Sequence, residues 1–580
     1  MNILGINAFF HDSSAALVQD GRLVAAAEEE RFTRKKHDLS WPKNAIEYCL
    51  KQGNITIEQV DYIGFYEKPL LKFERVMSQF LETFPKGFGA FRQAMPGWFN
   101  DKLRVMKYVR KKLKYRGDVF FIEHHLAHAA SSFFCSPFQE SAILTTDGVG
   151  EWQTTTTGIA KGQEITLGKE IIFPHSLGLI YSTVTAYLGF SVNNAEYKVM
   201  GLAAYGKPVY YDNFLKLVDI KEDGSYSLDM SYFDYTHKMR MPSRKFIELF
   251  GRPRGKNDPM EQRHKDMAAS LQKLTEDVLF RILNSLHKET GMDNLCMAGG
   301  VALNSVANGK ILSKTPFRDI FIQPAAGDGG TAVGAAFYAY NSILGKKREY
   351  VMRDAYLGPG YSTREIRQFL DKEKVNYSSF DTDEQLVKTA AKLIAEGNVL
   401  GWFQGRMEFG PRALGARSIL SDATNPEMQD ILNLKVKHRE KFRPFAPAVC
   451  EDDAIKYFEC DEPVPAPTDF MLMVYPIRPQ FRQKLPAVTH VDGSGRLQSV
   501  RREQNRLYYD VIKAFGKLKG MPIIINTSFN IRGEPIVCTP EDAYRCMMGT
   551  GIDYLFIDRF LVARKDNPKD MWDSEATATD

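Results

Sequence analysis

The chain opens on an apolar run, Ile3-Leu4-Gly5-Ile6, which predicts a strand over residues 2–7. The polar turn His11-Asp12-Ser13-Ser14 follows, then a strand over 15–19, the hairpin turn Asp20-Gly21 and a strand over 22–27. A later apolar strand, 141–146, ends at Asp147-Gly148, where a carboxylate emerges from the strand tip. The run Leu295-Cys296-Met297-Ala298 passes into Gly299-Gly300-Val301-Ala302-Leu303-Asn304, a strand, a glycine turn and a helix start that can receive phosphate or ribose.

Two stretches interrupt this pattern. Residues 68–116, rich in Phe, Lys and Arg with a basic end at Arg110–Arg116, predict a solvated helical insertion. Residues 209–262 carry the hairpin turn Glu222-Asp223-Gly224 and the loop Gly251-Arg252-Pro253-Arg254-Gly255, an insertion of the kind that shapes a substrate pocket. At Leu357-Gly358-Pro359-Gly360-Tyr361 the pattern breaks and a fresh series of strands and helices begins near Asp381. A domain over 1–355, a linker over 356–380, a further domain over 381–565 and a mobile polar tail over 566–580 are therefore expected. No internal repeat is visible.

Composition narrows the class. A chain of 580 residues has room for two or more domains with full cores, and 44% apolar with 25% charged residues is ordinary for a globular protein. Lys and Arg exceed Asp and Glu by only 76 to 71, too little for an extended nucleic-acid surface. Seven cysteines without a Cys-x-x-Cys pair argue against a disulfide framework and a zinc finger, and fit a reducing cytoplasm. Without a basic n-region or an 18-residue apolar run, a soluble protein lacking a signal peptide is expected, away from membranes. A homodimer is the expected assembly.

One cluster of residue types stands out. In Glu123-His124-His125-Leu126-Ala127-His128 two histidines lie four apart, on one helical face. With Asp147, and with Asp328 in Gly327-Asp328-Gly329-Gly330, they make a mixed N/O set suited to Fe(II), Zn(II) or Mn(II) with positions open to a substrate oxygen. In the C-terminal domain Arg412, Lys437, Arg443, Arg496 and Arg532 sit in short glycine- or proline-punctuated segments, as expected of cations aimed at a fixed anion. Ser528 and Asn530 complete the cradle, and so much positive charge implies a ligand with several negative charges.

These motifs, in this order, resemble the NodU/CmcH-type O-carbamoyltransferases, a group that includes tobramycin and nodulation-factor carbamoyltransferases. The resemblance spans nearly the whole chain. Through His124-x-x-x-His128, Asp147, Glu196-Tyr197-Lys198-Val199-Met200-Gly201, Gly299-Gly300-Val301-Ala302-Leu303-Asn304 and Gly327-Asp328-Gly329-Gly330 the N-terminal part resembles the TsaD-type actin-like (ASKHA) fold of two lobes. Through Lys437-x-Arg439 and Ser528-Phe529-Asn530 the C-terminal part is similar to a YrdC-type α/β domain.

The resemblance implies two sites. In the C-terminal domain carbamoyl phosphate yields carbamate, which attacks Mg-bound ATP to give carbamoyl-adenylate; Arg412, Lys437, Arg443, Arg496 and Ser528 bind these substrates. In the N-terminal domain His124, His128, Asp147 and Asp328 hold a divalent metal, Fe(II) by resemblance, and an acceptor hydroxyl attacks. From the residues themselves, His11 in the first turn is the candidate general base, since an imidazole near its reference pKa can accept the hydroxyl proton, and Lys36, Gly299, Gly300, Asn304, Asn530 and Arg532 are assigned to substrate or nucleotide. The related hydrogenase-maturation carbamoyltransferases carry Cys-x-x-Cys zinc fingers, absent here, so a small-molecule natural product is preferred as acceptor. The alternatives are a threonylcarbamoyl-type tRNA-modifying enzyme, whose wide basic surface is missing, and a nucleotide-binding module without turnover.

Overall fold

The computed structural model describes residues 1–238, 240–439 and 443–567. It divides into two compact units: Met1–Glu29 with Leu39–Met352, and Glu30–Asp38 with the chain from Arg353 onward. The tail expected over 566–580 lies, beyond residue 567, outside the described residues.

The first unit is built on two five-stranded sheets among the described residues. One uses β1 (Asn2–Asn7), β2 (Ser14–Gln19), β3 (Arg22–Glu28), β4 (Tyr62–Phe65) and β5 (Asp118–Phe121) in the order β3-β2-β1-β4-β5. The other uses β6 (Glu140–Thr146), β7 (Gln153–Lys161), β8 (Glu164–Ile172) and, after the hairpin β9 (Val218–Ile220) with β10 (Tyr226–Leu228), β11 (Asn294–Ala298) and β12 (Asp319–Ile322). Its order is β12-β11-β6-β7-β8. In both sheets a central strand has an antiparallel meander on one side and two parallel strands on the other. The two sheets are thus topological copies, the plan of an actin-like fold, although no residue-level repeat announces it.

Close backbone packing ties these sheets to the helices that matter. The helix Thr331–Phe337 lies so near β1 that a Cβ on Gly5 would fall 1.8 Å from the Ala332 carbonyl oxygen, and one on Gly334 would fall 1.8 Å from that of Ala127. Only glycine permits both approaches. Helix Thr331–Phe337 therefore fixes β1, Asp328 just before its own start, and the helix His124–Phe133 against one another.

The stretch 68–116 forms the helices Pro69–Thr83 and Phe88–Asn100, as expected, and its end Arg110–Lys112 is exposed. It is not a uniformly solvated insertion, however: Lys72 and Arg75 are buried. The expected hairpin over Glu222–Gly224 is present as β9 and β10.

Among the described residues the second unit holds a nine-stranded sheet. Its strands are β13 (Ser378–Ser379), β14 (Leu400–Phe403), β15 (Arg417–Asp422), β16 (Ala446–Cys450), β17 (Met473–Pro476), β18 (Ser494–Val500), β19 (Ile523–Ser528), β20 (Tyr554–Ile557) and β21 (Phe560–Ala563). The order is β13-β21-β20-β14-β15-β19-β16-β18-β17. Trp402, Leu420, Ile524 and Phe556 from its strands pack with Leu386, Ile394, Val511 and Phe515 of the helices Asp383–Ala395 and Arg506–Lys519.

Two boundaries differ from expectation. The stretch 356–380 is not a linker: Gly358 and Pro359 pair with Met407, then Ser362 and Glu365 form a capping box that starts the helix Thr363–Lys372. The glycine-proline break marks an entry turn. Residues Glu30–Asp38, expected in the N-terminal domain, belong to the second unit. There Arg31 donates to the Gly410 carbonyl at 2.9 Å, and Arg34 to those of Ile536 at 2.7 Å and Pro535 at 2.8 Å.

Candidate functional site

In the first unit His124 and His128 project from one face of their helix, and both are buried. Their Nε2 atoms lie 3.0 Å apart, a separation only one proton can bridge. Asp147, just past β6, brings Oδ2 to 3.2 Å from His124 Nε2 and 3.8 Å from His128 Nε2. Asp328 brings Oδ1 to 3.6 and 3.5 Å from the same two nitrogens. One ligand atom from each of the four lies within 4.8 Å of all the others.

Both oxygens of Asp328 are buried and lack a hydrogen-bond partner. Such atoms are costly to leave unsatisfied. Burial raises the Asp147 carboxyl, yet the two imidazoles hold it well below the usual carboxylate range. Burial and Asp147 push Asp328 up, and His11, His124 and His128 bring it below its ordinary value. Burial lowers His128, but the same two carboxylates raise it to about 9. Two carboxylates facing two imidazole nitrogens suit a divalent cation in charge, donor type and spacing. Among the described residues neither Nδ1 of the pair has a hydrogen-bond partner, so the ring contacts within the tetrad are made through Nε2.

Backbone groups aim the tetrad. Gly300 N–H donates to Asp147 Oδ1 at 2.9 Å, and Gly299, at φ 96°, sits where a Cβ would fall 2.2 Å from the Thr146 carbonyl oxygen. Gly299 and Gly300, expected to meet substrate or nucleotide, thus shape the backbone that holds Asp147. Asn7 donates to the Asp328 carbonyl at 2.8 Å, and Glu151 accepts from His124 N–H through both oxygens, at 3.1 and 3.0 Å. Asn304 caps the short helix after Gly300 and exchanges amide hydrogen bonds with Gln272 at 3.0 and 3.1 Å. His125, between the metal pair, is bonded by Thr145 and Gln153; burial and its histidine neighbours hold it well below the usual range.

His11 stands beside the tetrad, its Nε2 3.8 Å from Asp328 Oδ2 and its Nδ1 2.9 Å from Asp12 Oδ2. Burial lowers its pKa, but Asp328 and Asp12 outweigh that and raise it to about 9. The turn presenting it is strained: Phe9 at φ 69° and Asp12 at φ 59° both adopt the left-handed region.

The second unit carries the opposite charge. Lys437, buried, donates to Asn530 Oδ1 at 2.8 Å, to the Asn530 carbonyl at 3.0 Å and to the Ser528 carbonyl. Ser528 Oγ donates to Asn530 Oδ1 at 2.7 Å. Burial, with Arg439 and Arg443 nearby, pushes the Lys437 amine well below its ordinary range. Burial does the same to Arg496 on β18, with Arg412, Arg439 and Arg443 adding repulsion. Among the described residues no ion pair joins Lys437 or Arg496 to a carboxylate. Arg532 stands at the edge, donating to the His438 carbonyl at 3.4 Å.

The loop bearing Arg412 is shaped from below. Glu408 Oε1 accepts from the backbone N–H of Leu414 at 2.7 Å, Ala416 at 2.7 Å and Arg417 at 3.1 Å, while Asn526 and Gln498 donate to the Ala413 and Leu414 carbonyls. Arg417 plays another part: fully buried, it donates to four backbone carbonyls and stacks over Phe403 at 3.5 Å. Lys36 falls in the segment Glu30–Asp38 of this unit and is half-buried. Sequence reasoning passed over Glu408, Asp12 and Asn7, whose roles depend on backbone groups they meet only in the fold. Arg439, adjoining Lys437, could have been added from its spacing.

The sequence matches the family described as carbamoyltransferase N-terminus over residues 2–337 and that described as carbamoyltransferase C-terminus over 391–564. It is 38% identical to nodulation protein NolNO of Sinorhizobium fredii, over 98% of this chain and 81% of that one. It is 37% identical to nodulation protein NolO of Bradyrhizobium diazoefficiens, over 79% and 81%, and 48% identical to a Synechocystis protein named only as uncharacterized, over 98% and 97%. Among solved structures, HypF of T. kodakarensis aligns over 60% of this chain and 49% of its own at 14% identity and a TM-score of 0.33, too slight to decide fold or activity. Among the described residues no helix is long and apolar enough to cross a membrane.

Proposed function

The chain belongs to the carbamoyltransferase family and is an enzyme of that class; we propose that it carbamoylates a hydroxyl of a small-molecule natural product, with carbamoyl phosphate and Mg-ATP as co-substrates. The observation that carries this reading is the cluster of buried Lys437 with half-buried Arg412, Arg439, Arg443 and Arg496, whose mutual repulsion calls for a polyanion.

In the second unit water cleaves carbamoyl phosphate to carbamate and inorganic phosphate. A carbamate oxygen then attacks the α-phosphorus of ATP, and pyrophosphate leaves. Arg412, Arg443 and Arg496 bind phosphate oxygens in pairs, and Lys437 follows the migrating charge from its seat between Ser528 and Asn530. Such preorganised charge is the largest usual term in this chemistry.

In the first unit an acceptor oxygen attacks the carbamoyl carbon of the adenylate and AMP departs. His11 Nε2 accepts the hydroxyl proton while Asp12 holds Nδ1. A divalent cation, iron by resemblance, held by His124, His128, Asp147 and Asp328 would polarise the carbamoyl carbonyl and offset the carboxylate charge that otherwise keeps His11 protonated.

Exchange of labelled pyrophosphate into ATP tests the adenylate route. Exchange that requires carbamoyl phosphate is expected; exchange without it, or none with it, overturns that route.

A further inference from the structure

Beside the metal tetrad, the stretch 68–116 buries cations that the reaction above does not use. Lys72 pairs with Glu67 at 2.5 Å, both buried. Arg75, 7% exposed, has no hydrogen-bond partner at Nε and lies with its guanidinium carbon 4.9 Å from the centroid of the Phe173 ring. Lys102 stands over two rings, 5.3 Å from that of Phe10 and 5.0 Å from that of Trp98, and among the described residues no ion pair joins it.

Charge does not balance here. Glu67 is paired with Lys72, and the other nearby carboxylate, Glu151, also accepts the N–H groups of His124 and Lys68. Three cations thus face two carboxylates, leaving one positive charge in excess, and burial with neighbouring Lys72 and Arg75 pushes the Lys102 amine down to about 8. A buried guanidinium with an unmet N–H is a costly feature to keep without an anion.

Position gives the cluster its meaning. The Phe10 ring packs on the His11 ring at 4.4 Å and has the Lys72 ammonium 4.9 Å from its centroid. The Tyr66 ring, 5.9 Å from the same ammonium, meets the His124 ring edge-on at 5.6 Å. The Phe10 ring thus lies between His11 and the ammonium groups of Lys72 and Lys102, and the Tyr66 ring between Lys72 and His124. Arg75 is near enough to Lys102 to repel it, so a molecule presenting a hydroxyl to His11 meets this cationic group across the Phe10 ring.

We propose that Arg75 and Lys102, with Phe10 and Trp98, form an acceptor subsite that recognises an anionic group, a carboxylate or sulfate carried on the same molecule as the hydroxyl that is carbamoylated. This rests on the reading of the first unit as the place of transfer. The rings supply an apolar and cation-polarised wall for a sugar or aromatic face, and the cations supply the selection. Neutral and cationic acceptors are disfavoured.

The test uses two probes that differ only in the carboxylate, 4-nitrophenyl β-glucuronide and 4-nitrophenyl β-glucoside, with equilibrium dialysis of the full-length metal-loaded enzyme read by nitrophenyl absorbance. The glucuronide is expected to bind about tenfold more tightly or better, as a site built for a charged group rejects its neutral analogue. Arg75→Gln and Lys102→Met each bring that preference close to one, and Arg75→Lys restores part of it. Equal binding of the two probes, or a preference that survives both substitutions, overturns the subsite. AMP binding is measured in parallel. If the variants lose AMP rather than the glucuronide preference, the anion is the nucleotide phosphate and the acceptor assignment is wrong. Carbamoyl-phosphate-dependent pyrophosphate exchange, run on the same samples, is expected to be unchanged; its absence in the parent protein would instead defeat the adenylate route and leave the dialysis result standing by itself. Unfolding midpoints within a few degrees of the parent separate a lost contact from a lost fold.

Discussion

The first unit buries two carboxylates against two imidazoles, whereas the second buries Lys437 beside half-buried Arg496 and further arginines. Neither arrangement is favourable by itself, since like charges inside a protein repel more strongly than in water. The two units thus carry opposite local charge: the tetrad of the first could hold a divalent cation, and the cations of the second suit an anion. Arg417 and Glu408 show how structural charge differs: each makes several hydrogen bonds to backbone groups and so holds the loop that bears Arg412.

Removing one charge from each unit puts this opposition at risk. Lys437→Ala is expected to cut pyrophosphate formation by about 10³-fold while raising or leaving unchanged the thermal midpoint of the ligand-free protein, because a repelled buried cation is gone. A fall in the midpoint by many degrees would mean that Lys437 is a structural strut. Next in size, Asp328→Asn should weaken metal retention by about 100-fold or more, measured by dialysis against a chelator, and abolish carbamoyl transfer to any acceptor.

A pH series separates the metal-free from the loaded state. In the metal-free protein His128 and His11 are raised from 6.5 to about 9. Their contribution to stability is then complete below pH 6.5 and is lost as pH rises towards 9. Metal must displace those protons, so its affinity rises over the same window and levels off above it. Calorimetry should show proton uptake by buffer on metal binding at pH 7, and a stability loss between pH 6.5 and 9 that the loaded protein lacks. Smallest of all, Lys111→Ala and Lys112→Ala, on the exposed basic end, should change stability by less than about 0.5 kcal/mol and leave both half-reactions intact.

Much of both sites is legible in the chain itself. Histidines four apart on a helix must share a face, Asp147 ends an apolar strand, and Asp328 lies among glycines that let backbones close in. The rest depends on contacts between residues far apart. A sheet order can be duplicated without duplicating residues, because the pattern of pairing needs only apolar strands of matching length. Lys72 and Arg75 read as solvated because helical spacing alone does not reveal which side of an insertion faces the body of the unit. The segment Glu30–Asp38 leaves its sequence neighbours for carbonyls at Gly410, Pro535 and Ile536, a choice that no local signal encodes.

If the units divide the work in this way, the second activates the carbamoyl group independently of the first unit's metal residues. Pyrophosphate released from Mg-ATP and carbamoyl phosphate, without any acceptor, is to be quantified in the parent protein, Asp328→Asn and Lys437→Ala. Release that depends on carbamoyl phosphate, survives in Asp328→Asn and vanishes in Lys437→Ala is the predicted result. Loss of release in Asp328→Asn, or its persistence in Lys437→Ala, would contradict the division of labour between the two units.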